Sequence, residues 1–460
     1  MDATLSPSKR RWAFPEALLL IFALIITAQL ISYFIPAGEY QRHGKQVIAN
    51  SFRHLDQPPL PATAFLTAIP KGMNEAADII FFVFIVGGVL AIVRKSGAID
   101  ALIGSTLRRM HNSRSLLVIG TTALFALGSA SVGMAEEYMP FIPLLVTMSL
   151  ALKMDAIVGV ALVYVGAGVG YGAATLNPFT VVIAQKIAGL PPASGQAVRW
   201  ALLLLFTLIG SLYILRYAKQ VDRHPDRSLV ADGDFSSGFA LPEDIRLTGQ
   251  RLLILAVFAA GVALFAVGVK LWQWYLVELT ALFMTIGITT AVVGGISPNE
   301  TSRTFCSGAA ELTTAALLIG FARTIRVVLD QAKITDTIVA AIASAISGFG
   351  PALSAVAMLL VQALINVLIP SGSGQAYVTM PLMAPLADVT GVKRQVAVLA
   401  YQFGDGFGNM IIPTNALLMG MLGLARIPYQ RWVRFVGPLL LWLYGIAAIV
   451  LIAAVKLGYR

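Results

Sequence analysis

The sequence is dominated by apolar runs of about 20 residues, the length that crosses the hydrocarbon core of a bilayer as a helix. Hydrophobic residue types make up 57% of the 460 residues and charged types only 12%. A soluble domain carries about twice that share of charge. The chain is therefore predicted to be an all-α polytopic membrane protein, with the lipid bilayer as its solvent.

The basic residues lie mainly at the ends of these apolar runs. The formal net charge is +10, which in a soluble protein would suggest nucleic acid, but this placement is typical of membrane topology and no nucleic-acid partner is expected. Lys9-Arg10-Arg11 precedes the first run, at about 14–35. We expect an uncleaved first span with a cytoplasmic N-terminus.

Hydropathy predicts about eleven spans. The division predicted from it is an N-terminal span and outer loop at 1–75, a first repeat at 76–217, a cytoplasmic linker at 218–248, connecting spans at 249–307 and a second repeat at 308–460. Uninterrupted spans are expected at about 14–35, 76–93, 200–217, 250–269, 276–295, 308–325 and 435–455. Amphipathic helices are expected at 97–110 and 327–346.

Two segments are predicted to be re-entrant hairpins. Residues 114–152 lie between Arg114 and Lys153, which should both be cytoplasmic. Two complete spans and a turn would need about 45 residues, more than this segment has, and its middle is small and polar. A hairpin with its tip inside the protein fits better, although two tight full spans stay possible. A second hairpin is expected at about 350–389.

Each hairpin is followed by a segment that reads as a broken helix. Residues 155–190 contain Leu176-Asn-Pro-Phe-Thr180, and residues 392–424 contain Ile412-Pro-Thr-Asn415. Proline removes a backbone donor and clashes with the preceding turn, so it interrupts a helix. Broken helices at membrane depth are tolerated only where they are buried in protein or line a polar cavity.

The two halves share landmarks in the same order. Gly133-Met-Ala-Glu-Glu-Tyr-Met-Pro140 aligns with Gly374-Gln-Ala-Tyr-Val-Thr-Met-Pro381, and Gly168-Val-Gly-Tyr-Gly172 aligns with Gly404-Asp-Gly-Phe-Gly408. The span count between the copies makes them face opposite ways. Inverted repeats with matching helix breaks are typical of secondary transporters. An ion channel or a membrane enzyme is the alternative class, but a channel does not explain the paired breaks and no catalytic cluster is evident.

The hairpin tips and helix breaks supply the candidate substrate-binding residues. Half-helix N-termini suit carboxylates, small residues let a substrate approach the backbone, and neutral side chains add hydrogen bonds. The candidates are Ser129, Ser131, Glu136, Glu137, Asn177, Thr180, Ser371, Ser373, Gln375, Thr414 and Asn415.

Three acids are expected at membrane depth, Glu136, Glu137 and Asp405. An intramembrane acid is costly and is by default a functional residue. Asp405 replaces Val169 of the matching motif, so it breaks the symmetry of the repeats and is the candidate for the coupling ion. Because the tips and breaks contain no Lys or Arg, the acids favour a cation, a proton or a substrate amine. No resident metal or cofactor is expected beyond possible coupling to Na⁺ or H⁺.

Several motifs resemble the YfcC family, which is similar to DcuC-type dicarboxylate carriers and ArcD-like basic amino acid antiporters of the ion transporter superfamily. They are Ile35-Pro-Ala-Gly-Glu39, Leu176–Thr180, Ile369–Ala376, Tyr401–Asn409 and Ile412–Asn415. The resemblance covers almost the whole chain and adds Asn409 to the candidate site. It implies a bacterial inner membrane, a small organic substrate, and a dimeric carrier of the elevator type, thus a homodimer.

These observations together predict a secondary active transporter of a small carboxylate-bearing metabolite. The acids favour an amino acid, carried by antiport or by coupling to an ion. A C4-dicarboxylate carrier of the same architecture is the alternative substrate class.

Overall fold

The computed structural model describes most of the chain as helices. The described residues are 17–43, 46–48, 51–99, 101–102, 105, 114–131, 133–177, 179–192, 194–231, 246–272, 274, 276–346 and 349–459. Most of the predicted helix at 97–110 lies outside the described residues, and Pro178 lies outside them too.

The helices of the first half are α1 Ala17–Ser32, α2 Ala64–Glu75, α3 Ala77–Lys95, α4 Arg114–Ser131, α5 Phe141–Ala151, α6 Ala156–Gly172, α7 Val181–Ile187 and α8 Gln196–Arg223. Those of the second half are α9 Gly249–Trp272, α10 Leu276–Val293, α11 Pro298–Glu311, α12 Thr313–Ala332, α13 Thr335–Ile346, α14 Pro351–Leu368, α15 Gly372–Val389, α16 Arg394–Gly408, α17 Ala416–Leu424 and α18 Tyr429–Lys456. Short 3₁₀ turns cover Glu136–Tyr138 and Pro225–Arg227.

The loop after α1, predicted to be polar, contains α2 and four two-residue strands, β1 Gly38–Glu39, β2 Arg42–His43, β3 Gln46–Val47 and β4 Arg53–His54. They form the antiparallel pairs β1–β4 and β2–β3. The loop is anchored to the second half, because Asp336 of α13 accepts two hydrogen bonds of 2.7 Å from Arg42 and one of 3.0 Å from the Tyr40 amide.

Both halves show the same run of elements, a helix–turn–helix and then an interrupted helix. In the first half α4 and α5 are followed by α6 and α7, and in the second half α14 and α15 are followed by α16 and α17. Both predicted helix breaks are present. The structure contains no bilayer, so the eleven spans, the opposite orientation of the copies and the division into segments stay predictions.

The interrupted helices α6 and α16 pack against each other at the centre of the molecule. Gly406 makes this contact possible: a Cβ atom there would lie 2.2 Å from the Gly172 amide nitrogen. Around them, α4 and α8 pack on α6, while α14 and α18 pack on α16. Outside this group, α3 packs against α10 and α11, and α12 packs against α1 and α2.

Five described helices are long and apolar enough to span a membrane, α3, α4, α8, α14 and α18. A sixth is obtained if α11 and α12 count as one span bent by 44°. Shorter apolar helices add α5 and α6. The chain is therefore a multi-pass membrane protein.

Two predicted boundaries are wrong. The span at 308–325 is in fact the end of α11 and most of α12, which meet at a bend by Leu312. The amphipathic helix at 327–346 is two pieces, because residues 327–332 continue α12 and α13 begins only at Thr335. Lys333 ends α12 in the left-handed conformation (φ 52°), which breaks the helix there.

Candidate functional site

A cavity of about 440 Å³ lies where both hairpin tips and both helix breaks meet; we call it the central cavity. The first tip contributes Gly133 and Glu136, and the second contributes Pro370–Ser373. Helix α12 supplies Arg323 and Arg326. The arrangement places polar groups from distant parts of the chain around one volume the size of a small metabolite.

The structure brings seven of the predicted site residues to this cavity and leaves six outside its lining. Those that line the cavity are Glu136, Thr180, Ser371, Ser373, Asn409, Thr414 and Asn415. Those outside the lining are Ser129, Ser131, Glu137, Asn177, Gln375 and Asp405.

At the first tip, the residues outside the lining hold the hairpin to the first break. Asn177 donates to the Ser129 carbonyl at 2.9 Å, and its side-chain oxygen accepts from the Phe179 amide at 2.9 Å. The Ser129 hydroxyl donates to the Met134 carbonyl at 2.9 Å. Ser131 donates back to Leu127 within α4. Since these groups already have protein partners, they position the tip instead of facing the cavity.

The two adjacent acids of the first tip have different surroundings. Glu136 lines the cavity. Glu137 is 6% exposed and accepts a hydrogen bond of 2.6 Å from the Ala135 amide. Of the pair, Glu136 is therefore the acid placed to meet a substrate.

A tyrosine from the neighbouring interrupted helix secures each tip. Tyr171 of α6 donates to the Gly133 carbonyl at 2.7 Å, and Tyr401 of α16 donates to the Gly372 carbonyl at 2.6 Å. The two tyrosines occupy different positions in the aligned motifs, so the sequence repeat does not reveal this shared arrangement.

The second break combines a helix cap with cavity-lining groups. The Asn415 side-chain oxygen accepts from the amides of Leu417 and Leu418, which caps α17. Its nitrogen donates to Asn409 at 2.7 Å, and Thr414 donates to the Val367 carbonyl at 2.8 Å. The N-terminus of α17, with its partial positive charge, therefore faces the central cavity.

Asp405 lies directly behind this lining and is fully buried. Its Oδ1 atom accepts from Asn366 at 2.8 Å and from Asn409 at 3.3 Å. Its Oδ2 atom receives no hydrogen bond from the described residues, and neither does the side-chain oxygen of Asn366. A Cβ atom at Gly372 would lie 3.1 Å from Oδ2, so the carboxylate lies close to the second tip, whose Gly372 lines the cavity.

Gln375 belongs to a buried amide network that supports Asp405. It donates to the Gln362 side chain at 2.7 Å and accepts from Asn366 at 3.1 Å. Thr379 closes the network with hydrogen bonds of 3.0 and 3.1 Å to Gln362. The network fixes the orientation of Asn366, which in turn holds one oxygen of Asp405.

Arg323 and Arg326 are the cavity residues that the sequence analysis missed. They lie on α12, away from the tips and breaks. The expectation that the site has acids but no basic residues is therefore wrong, because the fold brings these two arginines to the cavity. Arg326 also pairs with Asp330 at 3.3 Å. The available signal was a pair of arginines next to the apolar run Ala315–Phe321, because an arginine at membrane depth is costly and by default points to function.

Polar groups from two hairpins and two broken helices meet at this site. Such an arrangement is typical of membrane carriers. The chain belongs to the DcuC family, described as C4-dicarboxylate anaerobic carriers, whose pattern it matches over residues 14–456. It is therefore a transporter.

Two relatives are similar over nearly their whole length. The chain is 35% identical to the Escherichia coli K12 protein named "Putative basic amino acid antiporter YfcC", with 99% of each chain covered. It is 30% identical to an uncharacterized Haemophilus influenzae protein, again with 99% of each covered.

Two solved transporters are more distantly similar. Alcanivorax borkumensis YdaH has a TM-score of 0.44 at 16% identity, covering 97% of this chain and 99% of that one. Neisseria gonorrhoeae MtrF, described with a class of antimetabolite efflux pumps, has a TM-score of 0.42 at 19% identity, covering 96% and 95%.

Proposed function

We propose that this transporter is a secondary active carrier of a small amino acid, working by antiport or by coupling to a cation. The observation that supports this most is the central cavity, which combines groups for a carboxylate with an acid for an amine. A basic amino acid, the substrate class in the name of YfcC, fits this combination.

The carboxylate of the substrate would bind between α12 and the second break. Arg323 and Arg326 offer guanidinium donors, which match a carboxylate in geometry. The N-terminus of α17 adds partial positive charge from the other side. Thr180 contributes a buried hydroxyl that has no hydrogen-bond partner among the described residues and lines the same cavity.

The amine of the substrate would meet Glu136 at the first tip. Glu136 lines the cavity opposite the second tip, so a substrate can touch both hairpins at once. A substrate that contacts both tips can bind the two conformations of a carrier with different affinity. Only such a difference lets binding change the side of the membrane to which the site is open. Serines 371 and 373 would complete the contact with neutral hydrogen bonds.

Asp405 would bind the coupling cation, either Na⁺ or H⁺. A buried carboxylate with one unpaired oxygen is costly unless a positive charge neutralises it during the cycle. Asn366 presents a second buried oxygen that receives no hydrogen bond from the described residues, which is suitable for Na⁺. Because Asp405 touches the second tip at Gly372, cation binding can influence closure of the hairpin.

A C4-dicarboxylate is the second candidate substrate, and the two arginines of α12 favour it. Two guanidinium groups can hold two carboxylates, and the family description names this substrate class. In that case Glu136 would be neutralised by a proton or would face Arg323 and Arg326.

The proposed setting is a bacterial inner membrane with a cytoplasmic N-terminus and a homodimer in which the two repeats are inverted. The hairpins and interrupted helices would move as one body against the remaining helices, as in an elevator carrier. No resident cofactor is part of this proposal.

Uptake into proteoliposomes tests the function. Purified protein should accumulate labelled arginine or lysine against a gradient, by exchange or with an imposed ion gradient. Glu136→Gln should abolish amino acid uptake, whereas a dicarboxylate carrier would accumulate succinate and keep doing so in this variant. Conduction without accumulation would instead identify a channel.

A further inference from the structure

A second cavity of about 340 Å³ lies farther along the same helices; we call it the distal cavity. Its walls are the C-terminal part of α3, the middle of α5, the α11–α12 junction and the end of α17. Its charged lining residues are Arg94, Lys95, Glu311 and Arg426.

The two cavities are ends of one interface. Helix α17 lines the central cavity at Leu417 and the distal cavity at Leu424, about 10 Å farther along its axis. Helix α3 does the same in the same chain direction, with Ile79 at the central cavity and Leu90 at the distal one. Both cavities therefore lie between α3 and the α11–α12 pair on one side and the first hairpin and α17 on the other.

A small apolar contact lies between them along α17, at Gly420, which is between Leu417 and Leu424. A Cβ atom at Gly420 would lie 2.4 Å from the Met139 methyl carbon and 2.9 Å from the Ile319 side chain. Met139 and Ile319 are fully buried. At this point of the interface, flexible side chains therefore pack against a glycine.

Both cavities have more cations than carboxylates in their linings. The central cavity has Arg323 and Arg326 with Glu136. The distal cavity has three cations with Glu311, and Lys95 also pairs with Glu300 at 2.5 Å. A cleft lined with net positive charge raises the local concentration of anionic groups. The same preference at both ends of one interface suits a path for a molecule that carries a carboxylate.

We propose that the distal cavity is a second subsite of the transport path, where Arg94 and Arg426 receive the substrate carboxylate beyond the Gly420 contact. This inference rests on the proposed function. A guanidinium has five N–H donors, so each arginine can bind a carboxylate while it keeps contacts within the protein. The lone acid there, Glu311, can meet the amine of the same substrate.

The experiment measures the rate at which a cysteine in the distal cavity is modified. Leu144→Cys on α5 is introduced with Cys306→Ser, and the protein is placed in vesicles of zwitterionic lipid only. The probes are an anionic and a cationic methanethiosulfonate reagent of similar size. The anionic reagent should react faster. Arg426→Gln should slow it by roughly fivefold and speed the cationic reagent by a similar factor, the effect of one charge about 4 Å away in water, so the anionic-to-cationic rate ratio should fall by roughly 25-fold.

Arg303→Gln is the matched control, because Arg303 is exposed on α11 and does not line either cavity. It should leave the ratio unchanged, and saturating transported amino acid should slow modification of Leu144→Cys. Arg94→Gln provides a second variant if Arg426→Gln does not fold. Equal rates for both reagents, or a ratio that Arg426→Gln leaves unaltered, would overturn the subsite. An anionic preference that appears only after anionic lipid is added would overturn it too, in favour of a lipid headgroup.

The modification rates do not require transport, so the two proposals fail separately. A protein that transports none of the labelled compounds but keeps the Arg426-dependent ratio refutes the proposed function. A protein that transports normally without that ratio, or without protection by substrate, refutes the subsite alone.

Discussion

Asp405 is completely buried, and within the described part of the chain only one of its carboxylate oxygens is hydrogen-bonded. We expect Asp405→Asn to keep the fold, because the amide is isosteric and Oδ1 still accepts from Asn366. Accumulation driven by an ion gradient should be lost, while exchange of substrate for substrate can persist if the acid serves only the cation. Proteoliposome uptake with and without an ion gradient measures both.

The control for this variant is Asp388→Asn, the same chemical change at an exposed acid that pairs with Arg394 at 2.6 Å. It should leave coupled uptake within about twofold of wild type, because exposed ion pairs contribute little. Full coupled accumulation by Asp405→Asn would show that the carboxylate is a structural group and not a cation ligand.

Asn415 and Asn177 allow structural and binding contributions to be separated. Each side chain makes hydrogen bonds that stabilise a helix break. Either alanine variant should therefore lower the free energy of unfolding by about 1–2 kcal/mol. Only Asn415 also lines the central cavity, so substrate affinity should fall in Asn415→Ala alone. Thermal unfolding and substrate binding on the same samples give both quantities. Equal affinity loss in the two variants would contradict the assignment.

Among the structural elements, the crossing of α6 and α16 leaves the least room for an added side-chain atom. Gly406→Ala would bring its methyl group against the Gly172 backbone, which cannot move aside as a flexible side chain can. The expected loss is about 1–3 kcal/mol of stability or more, with reduced folded protein in the membrane. Gly437→Ala on α18 is the control, because no other group lies within 4 Å of its added methyl. Similar yields and melting temperatures for both variants would refute the close crossing.

The outer loop should respond to acid through Glu39 of β1. Hydrogen bonds from Arg53 and then Lys333 hold the pKa of this carboxyl below its usual value of 4.5. A lowered pKa means that Glu39 stabilises the loop above pH 4.5 and that this contribution disappears as the pH falls through the folded value. The protection factor of the Leu55 amide, which donates to the Ala37 carbonyl, should fall there when exchange is compared with the intrinsic rate at the same pH. In Glu39→Gln that acid-dependent fall in protection should be absent; an identical pH response would contradict the role.

The helix breaks could be predicted from sequence because their causes are local. Pro413 removes a backbone donor and clashes with the preceding turn, which favours a break at that point of the sequence. The arginines of the central cavity could not, because Arg323 and Arg326 reach the site only through packing of α12 against α17. The end of α12 at Lys333 could not be predicted, because a lysine in the left-handed conformation is rare and the residue type there does not indicate a helix end.

On the scale of the whole molecule, the two hairpins contact different parts of the chain. Arg114, at the start of the first hairpin, forms an ion pair with Asp222 near the end of α8, next to the linker predicted to be cytoplasmic. Helix α15 of the second hairpin packs against β3 of the loop predicted to be outside. The two tips nevertheless meet at one cavity, which suggests that the hairpins enter from opposite faces.

The inverted arrangement predicts that the two tips are reached from opposite sides of the membrane. With Cys306→Ser as background, Ser131→Cys at the first tip should react with a membrane-impermeant thiol reagent added to the cytoplasmic face, and Ser373→Cys at the second tip with the same reagent added outside. Each position belongs to a hairpin that contacts a different predicted loop, so we expect water to reach each tip from the side of that loop. Substrate should slow the labelling of Ser373→Cys more than that of Ser131→Cys, because only Ser373 lines the central cavity. Oriented membrane vesicles of both polarities provide the measurement, with total labelling after detergent treatment as the reference for reactivity. If both cysteines react only from one and the same face, the two halves are not inverted, and the paired breaks need another explanation.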